Sequence, residues 1–352
     1  MGPFVKRFST AIFFISLLVV LLLSACAGGP KASTPPGTEP TPGVSFRNPI
    51  LTADFPDPYV LEVDGKYYAY ATNGAGRRVQ AAFSEDLVTW ALIKDAMPGA
   101  PRWGTSQTGL TWAPEVLRIN DQYVLYYTTR DIASNRQCVG VATSAAPEGP
   151  FRDSNTRALV CQADEGGTID ASPFRDGEKL YLYFKNDGNC CGMPTRIYVQ
   201  ELASDGLSLV GEPTVLLVND QPWEAHVIEA PSMFEKDGRY YLFFSANDYG
   251  SEKYAVGYAV CESPTGPCQD APENPILKSR MDQEPKVIGP GHQTLLQVGE
   301  QTWIFYHAWE EDFQGQRGER RFVWLDQIDW VDGKPVVRGP SIGLQFVPRM
   351  DK

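Results

Sequence analysis

The 352-residue chain is expected to fold, beyond its N-terminal segment, as one all-β domain, a five-bladed β-propeller. Three observations predict this. Five passages repeat one layout, in which a short motif with a polar residue is followed by a tight turn and an aromatic strand. They are Phe55-Pro56-Asp57-Pro58 before Asp64-Gly65-Lys66-Tyr67-Tyr68, Ala113-Pro114-Glu115-Val116 before Asn120-Asp121-Gln122-Tyr123, and Thr168-Ile169-Asp170-Ala171 before Asp176-Gly177-Glu178-Lys179-Leu180-Tyr181. The last two are Val227-Ile228-Glu229-Ala230 before Asp237-Gly238-Arg239-Tyr240-Tyr241, and Gly289-Pro290-Gly291-His292 before Gly299-Glu300-Gln301-Thr302-Trp303. The passages recur every 55 to 62 residues or so, a period that suits a four-stranded blade. Between them run short alternating strands rich in Tyr, Phe, Val and Thr, broken by Asp-Gly, Asn-Asp and Gly-Pro turns, with no long amphipathic helix.

Taken in chain order, residues 1–25 read as a lipoprotein-type signal peptide. Lys6 and Arg7 precede an apolar run from about Ala11 to Leu23, too short to span a bilayer as a helix. The following Leu23-Ser24-Ala25-Cys26 resembles a bacterial lipobox, which makes Cys26 the expected lipidation site and the only expected link to a membrane. Residues 26–44, rich in Pro, Gly, Ser and Thr, read as a tether. The propeller is placed at 45–352. Phe46-Arg47-Asn48-Pro49-Ile50-Leu51 is expected to pair into the last blade and close the ring, since an open ring would leave a long unpaired edge. A second echo marks outer strands, at Ala82 to Trp90, Val141 to Pro150 and Ala259 to Pro267. After Trp330-Val331-Asp332-Gly333-Lys334-Pro335 only a short tail is expected, with no appended domain.

The net charge of −12 argues against nucleic acid or an anionic membrane surface as a partner and suits a neutral ligand such as a sugar. Apart from Cys26, six cysteines remain in a chain bound for an oxidising compartment. Cys138 with Cys161 and Cys261 with Cys268 are expected local staples. For the adjacent Cys190 and Cys191, a bond to each other, bonds to other partners and free thiols all stay open.

The first strand of each blade lines a propeller's axis, so Asp57, Glu115, Asp170, Glu229 and His292 are expected to converge there. Paired carboxylates in unlike environments can hold one proton and one charge, which is what acid/base cleavage of a glycosidic bond requires. Any one of these acids alone would more simply be a strand-end carboxylate capping a turn. Trp103, Trp112 and Trp223 lie near the motif loops and are candidate sugar platforms, with Trp103 the weakest.

Asn48-Pro49-Ile50-Leu51, Asp54-Phe55-Pro56-Asp57-Pro58-Tyr59-Val60, Trp112-Ala113-Pro114-Glu115-Val116, Ile169-Asp170-Ala171-Ser172-Pro173-Phe174, Ile228-Glu229-Ala230-Pro231-Ser232-Met233 and Gly289-Pro290-Gly291-His292 together resemble the motifs of glycoside hydrolase family 43. The resemblance covers about residues 46 to 340. It implies a five-bladed propeller that hydrolyses glycosidic bonds with inversion. By motif, Asp57 would be the general base, Glu229 the general acid and Asp170 the residue that raises and orients that acid. An inverting pair should stand roughly 6.5–9.5 Å apart. The resemblance further implies a substrate-binding role for His292, with a calcium ion on the axis allowed but not required and no other cofactor. It puts an arginine, Arg320 or Arg321, beside the pocket; neighbours on a strand face opposite ways, so only one is expected inside. Glu115 is expected to line the pocket or to be structural. His307 is expected to pack within the fifth blade, and His226 to lie near the Glu229 motif. The activity implied is release of terminal arabinofuranosyl groups from plant cell-wall glycans by an extracytoplasmic enzyme, with β-xylosidase as the runner-up. A noncatalytic carbohydrate-binding propeller and a retaining fructan hydrolase are the two remaining readings. The second commonly carries Asn-Asp-Pro where this chain has Pro56-Asp57-Pro58.

Overall fold

The computed structural model describes Gly2, residues 45–312 and residues 314–347; the expected signal peptide, Cys26 and the tether lie outside these, Gly2 apart. Five sheets follow one another along the chain. Blade one is Tyr59–Val63, Lys66–Ala71, Gln80–Ser84 and Ala91–Leu92. Blade two is Trp112–Ile119, Gln122–Arg130 and Gln137–Ser144, and its outer edge is finished by bridges from Val139 to Val160 and from Thr143 to Arg152. Blade three is Thr168–Asp176, Lys179–Asn186, Arg196–Leu202 and Leu209–Val218; blade four is Ile228–Lys236, Arg239–Ala246, Ala255–Cys261 and Cys268–Asp270. Blade five is Ile288–Val298, Gln301–Glu311, Arg317–Val331 and Lys334–Val337. Neighbouring strands within each blade pair antiparallel, so the expected five-bladed propeller is what forms.

Alternation writes the core. Strand residues point alternately to the two faces of a blade, and both faces of each blade meet a neighbour. Five apolar clusters result, one at each junction between blades. Tyr70, Val79, Leu125 and Tyr127 join blades one and two, and Val124, Val139, Leu182 and Phe184 join two and three. Tyr183, Ile197, Leu242 and Phe244 join three and four, and Phe243, Tyr258, Ile304 and Tyr306 join four and five. The fifth cluster, with Val60, Ala69, Phe305 and Leu325, joins the last blade to the first. Burying each large side chain contributes about 1.5–3 kcal/mol, so ring closure is itself a core interface. Tyrosine hydroxyls reinforce the junctions: Tyr70, Tyr126 and Tyr183 donate to the carbonyls of Pro147, Gly206 and Pro264 in the next blade at 2.5, 2.7 and 2.6 Å.

The N-terminal segment joins the last blade through the backbone of Leu51 and Val323, a single bridge rather than a strand. Ser45–Phe46 instead pairs with Gln345–Phe346. Three disulfides are present. Cys138–Cys161 ties the outer segment of blade two to its third strand, Cys261–Cys268 closes the last hairpin of blade four, and Cys190 bonds to Cys191.

Candidate active site

The inner strands carry one shared irregularity. Asp57, Ala113, Asp170, Ala230 and His292 all have φ between 43° and 56°, the left-handed region, and in blades two to five the ladder slips there. Such a bulge re-aims side chains locally, letting successive residues serve one cavity. The true five-fold position is therefore this one. Glu229 stands one residue before it, where blade two has Trp112 and blade three Ile169. Glu115 stands two residues after it, level with Tyr59 and Ser172. The expected equivalence of the five polar residues is corrected accordingly.

Fifteen residues after each left-handed position the second strand brings Thr72, Thr128, Lys185, Ser245 and His307 to the axis. Four of them tie the ring together. Backbone N–H groups of Ala113, Asp170 and His292 donate to the hydroxyls of Thr72, Thr128 and Ser245 at 2.9, 3.3 and 2.8 Å, and that of Asp57 donates to His307 Nδ1 at 3.2 Å. Lys185 has no acceptor to offer. In its place Asp170 Oδ2 accepts from Ala230 N–H at 2.9 Å.

A cavity of about 390 Å³ opens over this ring, and Asp57, Asp170, Glu229, His292, Arg321 and Trp112 line it. Asp57 is held from several sides: Thr72 Oγ1 donates to Oδ2 at 2.5 Å, Arg321 donates to Oδ1 at 3.0 Å, and His292 Nδ1 and His307 Nδ1 each lie 3.3 Å from Oδ1. Burial would raise its pKa, but Arg321 and His292 outweigh it and hold the carboxyl well below the usual value. His307 is pushed down to about 4 by burial and by Arg321. It is thus neutral at pH 7, and because Nδ1 accepts from Asp57 N–H the proton sits on Nε2, which is buried with no partner among the described residues.

Glu229 is treated differently. Burial raises its pKa, Lys185 opposes this, and the like charge of Asp170 adds to it. Tyr254 donates to Oε1 at 2.8 Å, and Lys185 Nζ lies 3.5 Å from Oε2. Asp170 is raised by burial against the pull of His292 and Lys185, with Asp57 adding to the rise. One wall of the cavity therefore favours a charge and the other a proton, the division that acid/base chemistry needs.

Several expected site residues lie elsewhere. Glu115 is buried and does not line the cavity; desolvation raises its pKa, against a hydrogen bond to Ser172 and with the charge of Asp170 adding to the rise. Trp223 packs on Phe244 at 5.6 Å and does not line the cavity, because its short helical turn directs the ring into the junction between blades three and four. Trp103 is buried and donates to Asp153 at 2.9 Å. Strand alternation sends Arg321 inward and leaves Arg320 outside, paired with Glu310 at 2.6 Å. His226 lines a side recess of about 190 Å³ next to Glu229. His307, expected to be a packing residue, touches Asp57.

Lys185, Tyr254 and Tyr249 were not read from the sequence. Lys185 breaks an otherwise apolar strand, Leu180-Tyr181-Leu182-Tyr183-Phe184, and that break was the available signal. Tyr249, 51% exposed at the cavity mouth, stacks on Trp309 at 6.3 Å and lies over the Arg321 guanidinium at 5.3 Å.

Calcium takes six to eight oxygen ligands. The axis offers imidazole nitrogens and carboxylates already engaged with protein partners, and among the described residues the one convergent His/Cys/Asp/Glu group, Asp131 with Cys138 and Cys161, has its sulfurs in a disulfide. Among the described residues no set of six to eight protein oxygens converges on the axis.

The family model for glycosyl hydrolases family 43 matches residues 46–335. A beta-D-galactofuranosidase of Aspergillus niger is 28% identical over 319 residues, 85% of each chain. A probable arabinan endo-1,5-alpha-L-arabinosidase C of Aspergillus flavus is 28% identical over 78% of this chain and 88% of its own. The crystal structure of a thermostable family-43 glycoside hydrolase superposes with a TM-score of 0.77 at 32% identity, over 87% of this chain and all of the other. With the family model covering most of its length, the chain belongs to glycosyl hydrolases family 43, and it is a glycoside hydrolase.

Proposed function

We propose that the protein hydrolyses terminal α-L-arabinofuranosyl linkages with inversion. Asp57 takes a proton from the attacking water, Glu229 protonates the departing oxygen, and Asp170 keeps Glu229 protonated and, through Ala230 N–H, fixes the strand that carries it. The observation that carries this reading is the opposite electrostatic treatment of Asp57 and Glu229 within one cavity. Trp112 and Tyr249 offer ring faces at the cavity and its mouth, and His292 and Arg321 offer polar groups beside Asp57.

Ring size favours a furanoside substrate. One relative is named for a galactofuranoside, and the other for a 1,5-linked arabinan, whose O5 is free to link only if the ring closes on O4. Both substrates are five-membered rings, which favours a furanoside here over a xylopyranoside. The test is hydrolysis of aryl α-L-arabinofuranoside, aryl β-D-galactofuranoside, aryl β-D-xyloside and linear arabinan in parallel, with Asp57→Ala as control and the product anomer followed by NMR. Arabinose released first as the inverted anomer, and lost in the control, supports the reading. Xylose release moves the enzyme to the runner-up, and silence on all four substrates from a folded protein that still binds glycans supports a noncatalytic propeller.

We also propose export and lipid attachment at Cys26. The reading is supported by the apolar run before Leu23-Ser24-Ala25-Cys26 and by three disulfides, which persist in oxidising compartments. Among the described residues no helix is long and apolar enough to cross a membrane. Mass spectrometry of the membrane fraction checks it: a diacylated Cys26 is expected, and an intact residue 1–25 segment would refute it.

A further inference from the structure

We propose that Lys185 is a positioning residue for Glu229, neutralising the carboxylate that Glu229 becomes when it gives up its proton. The inference rests on the assignment of Glu229 as the acid and adds a residue to it.

The ring of second-strand residues makes the case. Thr72, Thr128, Ser245 and His307 each accept a backbone N–H from the following blade, and a threonine in blade three could do the same for Ala230. This chain places a lysine there, wholly buried. A buried ammonium is costly unless it is paired, so ring closure alone does not account for it. What Lys185 touches is Asn189 Oδ1 at 2.6 Å and Glu229 Oε2 at 3.5 Å. Asn189 sits in the turn Gly188–Cys191, whose two cysteines are bonded to each other, so the residue that steers the ammonium is itself held in a short constrained loop. The substitution also frees Asp170 to take the Ala230 N–H, directly beside Glu229. One residue change in the ring thus supplies both a cation and a relocated carboxylate at the acid.

The charge balance explains the need. In the reaction Glu229 transfers its proton to the glycosidic oxygen as the bond from that oxygen to the anomeric carbon breaks. The leaving group keeps the electron pair, water adds to the anomeric carbon, and its proton passes to Asp57. Glu229 is then an anion facing Asp170 and Asp187, with Tyr254 and His292 also close. Lys185 sets an ammonium 3.5 Å from Oε2 of that anion, and an opposite charge within ~4–6 Å favours the charged form.

The test is the pH profile of kcat/KM for Lys185→Thr, which installs the residue of blades one and two, beside Lys185→Arg and Glu229→Gln. Lys185→Thr should move the basic limb upward by roughly 1 pH unit and lower kcat roughly 10- to 100-fold on a substrate with a poor leaving group. Lys185→Arg, which keeps the charge, should hold the limb near its original position. An unmoved limb in Lys185→Thr, or an equal shift in Lys185→Arg, overturns the proposal. Should Lys185→Thr not fold, Asn189→Ala and Lys185→Arg decide it: loss of the Asn189 contact must move the limb and the conservative change must not. Glu229→Gln separates the two levels. If it retains wild-type activity and the basic limb, the acid assignment fails; if it is inactive while the limb of Lys185→Thr stays put, only the role of Lys185 fails.

Discussion

The two walls of the axial cavity bury their carboxylates alike and yet prepare them oppositely. Asp57 and Glu229 are each 9% exposed. Asp57 meets a guanidinium, two imidazoles and a hydroxyl, all on the side of blades five and one. Glu229 meets one ammonium at 3.5 Å, a phenol and a second carboxylate across blades three and four. Burial raises a carboxylate pKa in both places; the neighbours decide the outcome. A propeller suits this because each blade brings its own inner strand to a common axis, so facing walls are built from unrelated sequence.

The severest way to break the contrast is to remove the base. Asp57→Ala should lower kcat by about 10²–10⁴-fold on every substrate, measured by steady-state kinetics at saturating substrate. Glu229→Gln should lose comparably on a natural glycan and far less on an aryl glycoside with an activated leaving group, which departs without a proton. Equal losses on both substrates would remove Glu229 from the acid role.

Arg321→Gln sharpens the comparison by making the first wall resemble the second. It should raise the pKa of Asp57, and the base must be ionised to act, so the acidic limb of kcat/KM moves to higher pH. The sign for stability agrees. A carboxylate whose folded pKa lies below its unfolded value stabilises the fold above the unfolded value and loses that contribution as pH falls through the folded one. Acid denaturation of Arg321→Gln should therefore depend less on Asp57 than that of the wild type. Thr72→Val removes a donor to Asp57 and the acceptor of Ala113 N–H, and should cost about 1–3 kcal/mol in chemical denaturation.

The smallest effects are expected where expected site residues proved to lie outside the cavity. Glu115 lies outside the cavity and burial favours its neutral form, so Glu115→Gln should leave kcat within about twofold and hardly change the melting temperature. Arg320→Ala should leave kcat likewise, because its partner Glu310 is on the surface side of the strand. A large loss in either would return that residue to the site.

Much of this was legible in the chain itself. The aromatic second strands and the tight turns before them announce five blades, and Asp57, Asp170, Glu229 and His292, expected at the axis, line the cavity. What could not be read was register. The left-handed position is filled by Asp, Ala, Asp, Ala and His, so no residue type marks it, and aligning the polar residues misplaced Glu115 by two positions and Glu229 by one. Lys185, Tyr254 and the role of His307 were hidden for a related reason. Lys185 and His307 lie on second strands and Tyr254 just before a third strand, where the sequence reads as packing, and they reach the site only because the ring returns those strand ends to the axis. The constant fifteen-residue interval from each bulge to the second strand would have found Lys185 and His307, had the bulge been placed first.

The most direct measurement is a carboxyl ¹³C NMR titration of the folded protein, with Asp57→Asn and Glu229→Gln used to assign the two signals. The expected result is an Asp57 that stays ionised to the lowest pH the fold survives and a Glu229 that titrates above the ordinary glutamate value. Reversed assignments, or two carboxyls titrating together near their ordinary values, would contradict the account.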